Sequence, residues 1–415
     1  MKVLQINTVY KEKSTGRTCM EVEKALISRG YQCCTAYGVG EKYGGNTYRI
    51  DTKLEYYIHN ILSCLTGLEG YFSFFATIRL IQFIKKYDPD IIHLRNLHGH
   101  YINLPMLFKY LKKEQIPVVQ NLHDHWAFTG KCAYYTTIGC LKWMESCGNC
   151  PALKNYPKSI VFDVTKKIRQ DKEKWYTGLK NLTIVGVSKW TTNEAKKSFF
   201  KKCAVHFYTI YNWINQNIFK PYPNDNIAMK KKYSIPLNKF MIIGVSVSWV
   251  PGSPRYDDFI EISKNLQADE VLVMVGKVEG KLKSSNIIHI PYVASPEELA
   301  KLYSCADVYV HCSVEDTFGK VIAEAQACGT PGIVYGVTGC AELVGENCGY
   351  VVKPRCISEV LNKIELIKEK GKGSFINNCI RNVSANYNFE RNVEQLIELY
   401  VSLAKSKQNN GGNNT

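Results

Sequence analysis

Residues 307–335 read DVYVHCSVEDTFGKVIAEAQACGTPGIVY. An apolar run, Asp307–His311, leads into a polar loop, then a helical pattern over Phe318–Cys328, then a second apolar run, Gly332–Tyr335. This passage predicts two parallel strands joined by a crossover helix. The same alternation recurs outward from it. Phe240–Val247, Val271–Val275, Ile287–Pro291 and Gly349–Val352 read as strands, Tyr256–Leu266 and Pro296–Ser304 as helices, the latter capped by Ser295 with Glu298 at the capping-box position. Towards the N-terminus, Lys2–Asn7, Asp90–Leu94, Val118–Leu122 and Thr183–Val187 read as strands, Glu21–Arg29 and Ile102–Lys113 as helices. A loop-like stretch, Asn212–Asn226, separates the two series. The expected fold is α/β: two Rossmann-like, doubly wound parallel-sheet domains, 1–213 and 214–390. A C-terminal helix over 391–407 is expected to pack back toward the first domain, followed by a disordered Asn/Gly-rich tail, 408–415. Such folds bind ligands beyond the carboxyl ends of their strands, and two of them facing each other would share a cleft.

Hydrophobic residues make up 45% and charged residues 22%, which excludes a disordered or fibrous chain. The net charge of +16 is unevenly spread: residues 1–213 hold 31 Lys+Arg against 16 Asp+Glu, the remainder 22 against 21. A one-sided basic surface attracts nucleic acid, an anionic membrane face or a phosphorylated substrate, unless it serves solubility alone. The 16 cysteines are scattered, and Met1-Lys2 runs straight into Val3–Ile6, so a cytoplasmic chain with no secretory signal is expected. No apolar window is long enough for a transmembrane helix. The segment Leu54–Lys86 carries Tyr56, Tyr57, Tyr71, Phe72, Phe74 and Phe75 beside Arg79, Lys85 and Lys86. A core helix pair is the favoured reading there, a membrane-surface element the alternative.

The chemistry gathers around the opening motif. A helix starting near Phe318 leaves first-turn N–H groups unpaired, around Lys320 and Val321, and these attract anions. Gly319 lets a diphosphate approach that backbone. Asp316 precedes the helix and Glu324 lies eight residues on, a little over two turns, so both carboxylates could border one elongated ligand. A carboxylate on a helix is placed to accept hydrogen bonds from two ribose hydroxyls; the alternative is a pair of solvated or capping acids.

This stretch resembles the acidic-x7-acidic motif of retaining glycosyltransferases of family four, which have the GT-B fold, and the likeness runs along roughly residues 1–400. The resemblance implies transfer of a sugar from a nucleotide diphosphate sugar with retention of anomeric configuration and no cofactor required for catalysis. By the same likeness Glu324 binds the donor ribose, and Asp316, where the family usually has Glu, touches the sugar hydroxyls. Gly16, in the loop Lys11–Thr18, approaches the diphosphate, with Arg17 as an added cation. His123, just after Val118–Leu122, lies beside the transferred sugar, so His123 and Asp316 are the expected catalytic pair. The family's usual Arg is missing from the loop 247–259, which leaves Arg255 to stabilise the leaving diphosphate. Gly339, in Thr338–Glu342, lies near the donor, and Tyr211–Asn215 resembles the family's interdomain segment. The expected acceptor is a saccharide or lipid-linked saccharide of cell-surface polysaccharide synthesis, held at the anionic inner face of the cell membrane. A nucleotide-sugar epimerase of similar fold and a basic nucleic-acid-binding protein are the alternatives. The acidic spacing argues against the first, and the lack of a nucleic-acid-binding signature argues against the second.

One cluster stands apart. Cys132, Cys140, Cys147 and Cys150 fall within 19 residues, with a two-residue spacer in Cys147-Gly148-Asn149-Cys150. That spacing suits a structural zinc; reduced, unliganded thiols are the alternative.

Overall fold

The computed structural model describes residues 1–282 and 284–411, with side chains through residue 405. It divides into two compact units, Met1–Ile210 with Val393 onward, and Tyr211–Asn392.

The first unit is built on seven strands: β1 (Lys2–Val9), β2 (Gln32–Val39), β3 (Thr47–Arg49), β4 (Ile91–Leu94), β5 (Val118–Leu122), β6 (Leu182–Gly186) and β7 (His206–Thr209). Their order is β3-β2-β1-β4-β5-β6-β7, and every neighbouring pair is parallel. Helices on both faces bury the interior strands on both sides, which is why β4, β5 and β6 are buried at every position without alternation. Leu4, Ile6, Ile92, Leu94, Val118 and Ile184 centre the core. The long last helix, Phe389–Gly411, belongs here from Val393 on. Its buried Tyr400 hydroxyl meets His93 Nδ1 on β4 at 2.5 Å, and Arg29 pairs with Glu394 at 2.6 Å.

The second unit has β8 (Phe240–Trp249), β9 (Glu270–Val278), β10 (Ile287–Ile290), β11 (Val308–His311), β12 (Gly332–Tyr335) and β13 (Gly349–Val352). The order is β10-β9-β8-β11-β12-β13, again all parallel. Ile242, Leu272, Met274, Val310 and Ile333 form its core with Phe259 and Ile364 from flanking helices. The two ends of this unit lie side by side: Ile214 N–H donates to Tyr387 O at 2.9 Å, and Asn392 Nδ2 to Tyr211 O at 3.1 Å.

Four local expectations change. The first helix is Lys13–Ser28, eight residues longer at its start than the pattern suggests. The crossover helix of the opening motif begins at Lys320, because Gly319 takes a left-handed cap. Ser295 accepts from Glu298 N–H at 3.2 Å, but the Glu298 carboxylate turns to Tyr233 and Lys232, so the capping box stays half made. The tail expected to be disordered from residue 408 is helical to Gly411; residues 412–415 lie outside those described.

The aromatic segment forms two helices, Lys53–Thr66 and Phe74–Tyr87. The second buries Ala76, Thr77, Leu80 and Ile84; the first buries only His59 and Ser63. Leu54, Tyr57, Ile58, Ile61, Leu65, Phe74, Phe75 and Ile78 are exposed, as are the adjoining Ile160, Val161 and Phe162. Core packing, the favoured expectation, therefore fails for the first helix. No helix among the described residues is long and apolar enough to cross a membrane.

Candidate functional site

Strand order reverses direction between β8 and β11, and loops leaving the carboxyl ends of such a pair diverge and open a crevice. In the second unit those loops carry the motif residues. After β8 the chain caps a new helix, Pro254–Lys264, with Ser253 and with Pro254 in its first turn. Arg255 is thereby held beside β11. Its Nη1 donates to Ser246 Oγ at 2.8 Å; its Nη2 donates to Ser313 Oγ at 2.6 Å and to Asp316 Oδ2 at 3.1 Å. Its Nε is buried with no hydrogen-bond partner among the described residues. His311, the last residue of β11, lies with Nε2 3.0 Å from the same Asp316 oxygen and Nδ1 3.0 Å from the Tyr309 hydroxyl. Burial alone would raise the Asp316 carboxyl; the His311 hydrogen bond and the Arg255 charge overcome it and hold the group ionised well below the usual carboxylate range.

Gly319 stands next, at φ 82°; a Cβ there would come within 2.7 Å of Ile322 Cδ1 and 2.8 Å of Cys340 Sγ. Only glycine combines that backbone with that clearance. Lys320 and Val321 follow as the first two helical residues, among the amides a helix cannot satisfy internally. Glu324 lies one turn further along, half-buried. Gly339 opens a short 3-10 turn, Gly339–Leu343, tied to this helix by Gln326 Nε2 donating to Leu343 O at 2.9 Å. Cys340 Sγ also approaches Asp316 O at 3.6 Å. Arg255, Asp316, Gly319 and Gly339 thus converge on one end of the sheet. His311, Asp316 and Cys340 have donor atoms all within 4.8 Å of one another, yet the guanidinium on the same carboxylate opposes a bound cation there.

The first unit has its own reversal, between β1 and β4. Arg95, one residue past β4, is buried; Nε donates to Gln5 Oε1 and Nη1 to Thr18 Oγ1, each at 3.1 Å. Its Nη1 is also 3.3 Å from His123 Nε2, and Asn121 Nδ2 is 3.4 Å from the same atom. His123 is the first residue after β5, as expected. Burial, then the Arg95 charge, push its imidazole down to about 3, so the ring is neutral at physiological pH. Gly16 is not in a loop. It lies in the first turn of Lys13–Ser28, its oxygen accepting from Lys11 N–H at 3.1 Å, where a Cβ would crowd the Tyr10–Lys11 backbone.

Arg95, His311, Ser313 and Ser246 were not singled out from sequence. Three of them share one signal: they end or closely follow an apolar run whose neighbours in the sheet diverge. The four cysteines 132, 140, 147 and 150 line a single small cavity in the first unit, away from His123 and its partners.

The family model described as "Glycosyltransferase Family 4" matches residues 15–216, and that described as "Glycosyl transferases group 1" matches residues 228–385. The chain is 21% identical to the putative colanic acid biosynthesis glycosyl transferase WcaC of Escherichia coli K12, over 97% of this chain and 99% of that one. Its fold is similar to that of a Rickettsia africae glycosyltransferase, at a TM-score of 0.65 and 16% identity over 97% of this chain and 98% of that one. It is equally similar to the Anabaena protein HepE in complex with UDP-glucose, at a TM-score of 0.65 and 15% identity over 97% of this chain and all of the other. With one model matching in each unit and both sheets wound alike, the chain belongs to glycosyltransferase family four and is a glycosyltransferase of the GT-B fold.

Proposed function

We propose that this protein transfers a sugar, with retention of anomeric configuration, from a nucleotide diphosphate sugar to a saccharide or lipid-linked acceptor in cell-surface polysaccharide synthesis. The observation that carries this reading is the convergence of the Arg255 guanidinium, the ionised Asp316 and the Gly319-capped helix start on one sheet end. Arg255 and the Lys320 and Val321 amides are the groups proposed to receive the diphosphate, whose charge grows as it leaves. Asp316 accepts from the sugar hydroxyls, and Glu324 from the ribose. His123, neutral, takes the place beside the transferred sugar, where an uncharged ring offers a lone pair or a single donor. Transfer in this scheme needs no metal or other cofactor. That HepE was solved with UDP-glucose favours a uridine donor, and the likeness to WcaC favours a polysaccharide acceptor.

A thermal-shift screen of nucleotide sugars tests the donor. At a donor concentration a hundred times Kd the native state gains about 2.7 kcal/mol. Glu324→Ala is expected to abolish the shift produced by the true donor while leaving the unliganded Tm within a degree or two; an undiminished shift in the variant would sink the ribose assignment.

The reading also places the acceptor at an anionic membrane face on the cytoplasmic side. The outward apolar side chains of Lys53–Thr66 and Phe74–Tyr87, with Phe162 beside them, sit in the half of the chain that holds 31 basic against 16 acidic residues. An apolar face flanked by lysines and arginines partitions into the headgroup boundary. Ile61→Glu with Phe75→Glu should reduce flotation with anionic vesicles at least tenfold and leave donor binding intact. Equal flotation of variant and parent rules the membrane face out.

A further inference from the structure

The cysteine-lined cavity is the feature that the transfer chemistry leaves unused. The segment 123–164, between β5 and the helix Thr165–Tyr176, is 42 residues long and contains only two three-residue turns of 3-10 helix. Stretches beyond about 15 residues without regular structure are uncommon in a compact domain unless something holds them. This one is held: Trp126, Phe128, Tyr135 and Trp143 are buried in the core of the first unit. Most of its backbone hydrogen bonds close short-range turns, such as Phe128 N–H to His125 O and Gly139 N–H to Thr136 O, and its four cysteines line one cavity.

We propose that Cys132, Cys140, Cys147 and Cys150 bind one zinc ion as a tetrathiolate that fastens this segment to the first unit. All four line one cavity of about 20 Å3, room for a single water-sized occupant. The Cys147–Cys150 turn has Gly148 at φ 122° and Asn149 at φ 45°, and both of its cysteines line the cavity. Lys142 Nζ secures its outer rim, donating to Gly148 O at 3.3 Å and Asn149 O at 3.0 Å. The Gly130 N–H donates to Cys147 Sγ at 3.3 Å, an interaction that strengthens when the sulfur is a thiolate.

Charge points the same way. Lys131 and Lys172 are both buried. Lys131 donates to the carbonyls of Ala152 and Asn155, Lys172 to those of Trp126 and Thr129. Neither forms an ion pair with a carboxylate among the described residues. Buried cations need a counter-charge, and four thiolates around Zn2+ carry a net −2 beside these two lysines. Coordination does ask for movement. The sulfurs are not among the ligand sets whose donors all lie within 4.8 Å of one another, and zinc–sulfur bonds of about 2.3 Å require the thiols to rotate inward. The tighter set His59, Glu69 and His100 is a poorer candidate, because both Glu69 oxygens are already engaged by N–H and O–H donors.

Metal analysis of the full-length protein, purified without chelators, is expected to find close to one zinc per chain. After chelator treatment, titration with Co2+ is expected to produce the intense visible bands of tetrahedral tetrathiolate cobalt, saturating at one equivalent. Cys147→Ser with Cys150→Ser should remove the zinc and the bands, whereas Cys356→Ser, a change in the second unit, should alter neither. Zinc at a small fraction of one equivalent with no cobalt bands would overturn the proposal. So would full zinc in the double variant, or disulfides among the four cysteines in freshly isolated protein. If the double variant fails to fold, the cobalt spectrum of the parent protein decides alone, since its bands report the number of sulfur ligands.

Discussion

Replacing Arg255 with alanine is expected to lower kcat by about 10²–10³-fold with a smaller change in KM for the donor. The guanidinium spans Ser246, Ser313 and Asp316, and one buried nitrogen, Nε, has no partner among the described residues. A fixed cation at a leaving diphosphate acts mainly where charge has developed, so its loss falls on kcat rather than on ground-state binding. Arg255→Lys should recover only part of the rate, because an ammonium cannot hold two serines and a carboxylate in one plane. Nucleotide release from the donor identified by thermal shift is the measurement, with Tm and far-UV circular dichroism as controls. A well-folded Arg255→Ala protein working within threefold of the parent would remove Arg255 from the proposed chemistry.

Glu69→Ala is expected to cost about 3–5 kcal/mol of stability, because it strips a buried network of its only anion. Glu69 Oε1 accepts from Gly99 N–H at 2.8 Å and His100 N–H at 2.9 Å; Oε2 accepts from Ser63 Oγ at 2.7 Å and lies 2.5 Å from His100 Nδ1. His59 sits alongside, Nδ1 on Ser73 Oγ at 2.8 Å and Nε2 accepting from Gly70 N–H at 3.2 Å. Burial alone would raise Glu69; the hydrogen bond and charge of His100, then His59, hold it far below the usual range. Burial lowers His59 to about 4. Both effects have the same sign. Between about pH 6.5 and 4 the unfolded His59 binds a proton that the native ring refuses, and below about pH 4.5 the unfolded Glu69 binds one that the native carboxylate refuses, so stability falls with pH in both windows. Urea unfolding of the parent protein at pH 7 and pH 5 should show the first loss. Glu69→Gln should be less harmful than alanine at pH 7, since it keeps one acceptor oxygen. A Glu69→Ala midpoint matching the parent would mean the network is not a stabilising unit.

Much of the fold can be read from residue order because parallel strands buried on both faces are rich in apolar residues without a period-two alternation. β4, β11 and β12, and the Val118-Val119 start of β5, stand out for that reason. β2 does not, although it is buried. Its sequence, Gln-Cys-Cys-Thr-Ala-Tyr-Gly-Val, places Thr35 between Gln5 and Glu23 in a polar network inside the sheet. Edge strands β3 and β7 carry too little burial to leave a pattern. The start of the first helix is hidden by Ser14, Thr15 and Gly16, weak helix formers that read as a loop until the Gly16–Lys11 contact closes the turn. In the candidate site, Asp316 and Gly319 are reached from the spacing of the 307–335 motif, Arg255 only through the family resemblance. His311 and Ser313 are reached by neither: their part depends on which two strands are neighbours, and sheet order is not written in any local stretch.

The return of residues 393–405 to the first unit has a consequence for biosynthesis. In the complete unit Tyr400 packs against His93. While the ribosome is still making this stretch, the nascent first unit is short of one helix, and His93 on β4 lacks its Tyr400 partner. The second unit, whose ends meet at Tyr211 and Asn392, can close before that helix emerges. The part synthesised first is therefore the part completed last.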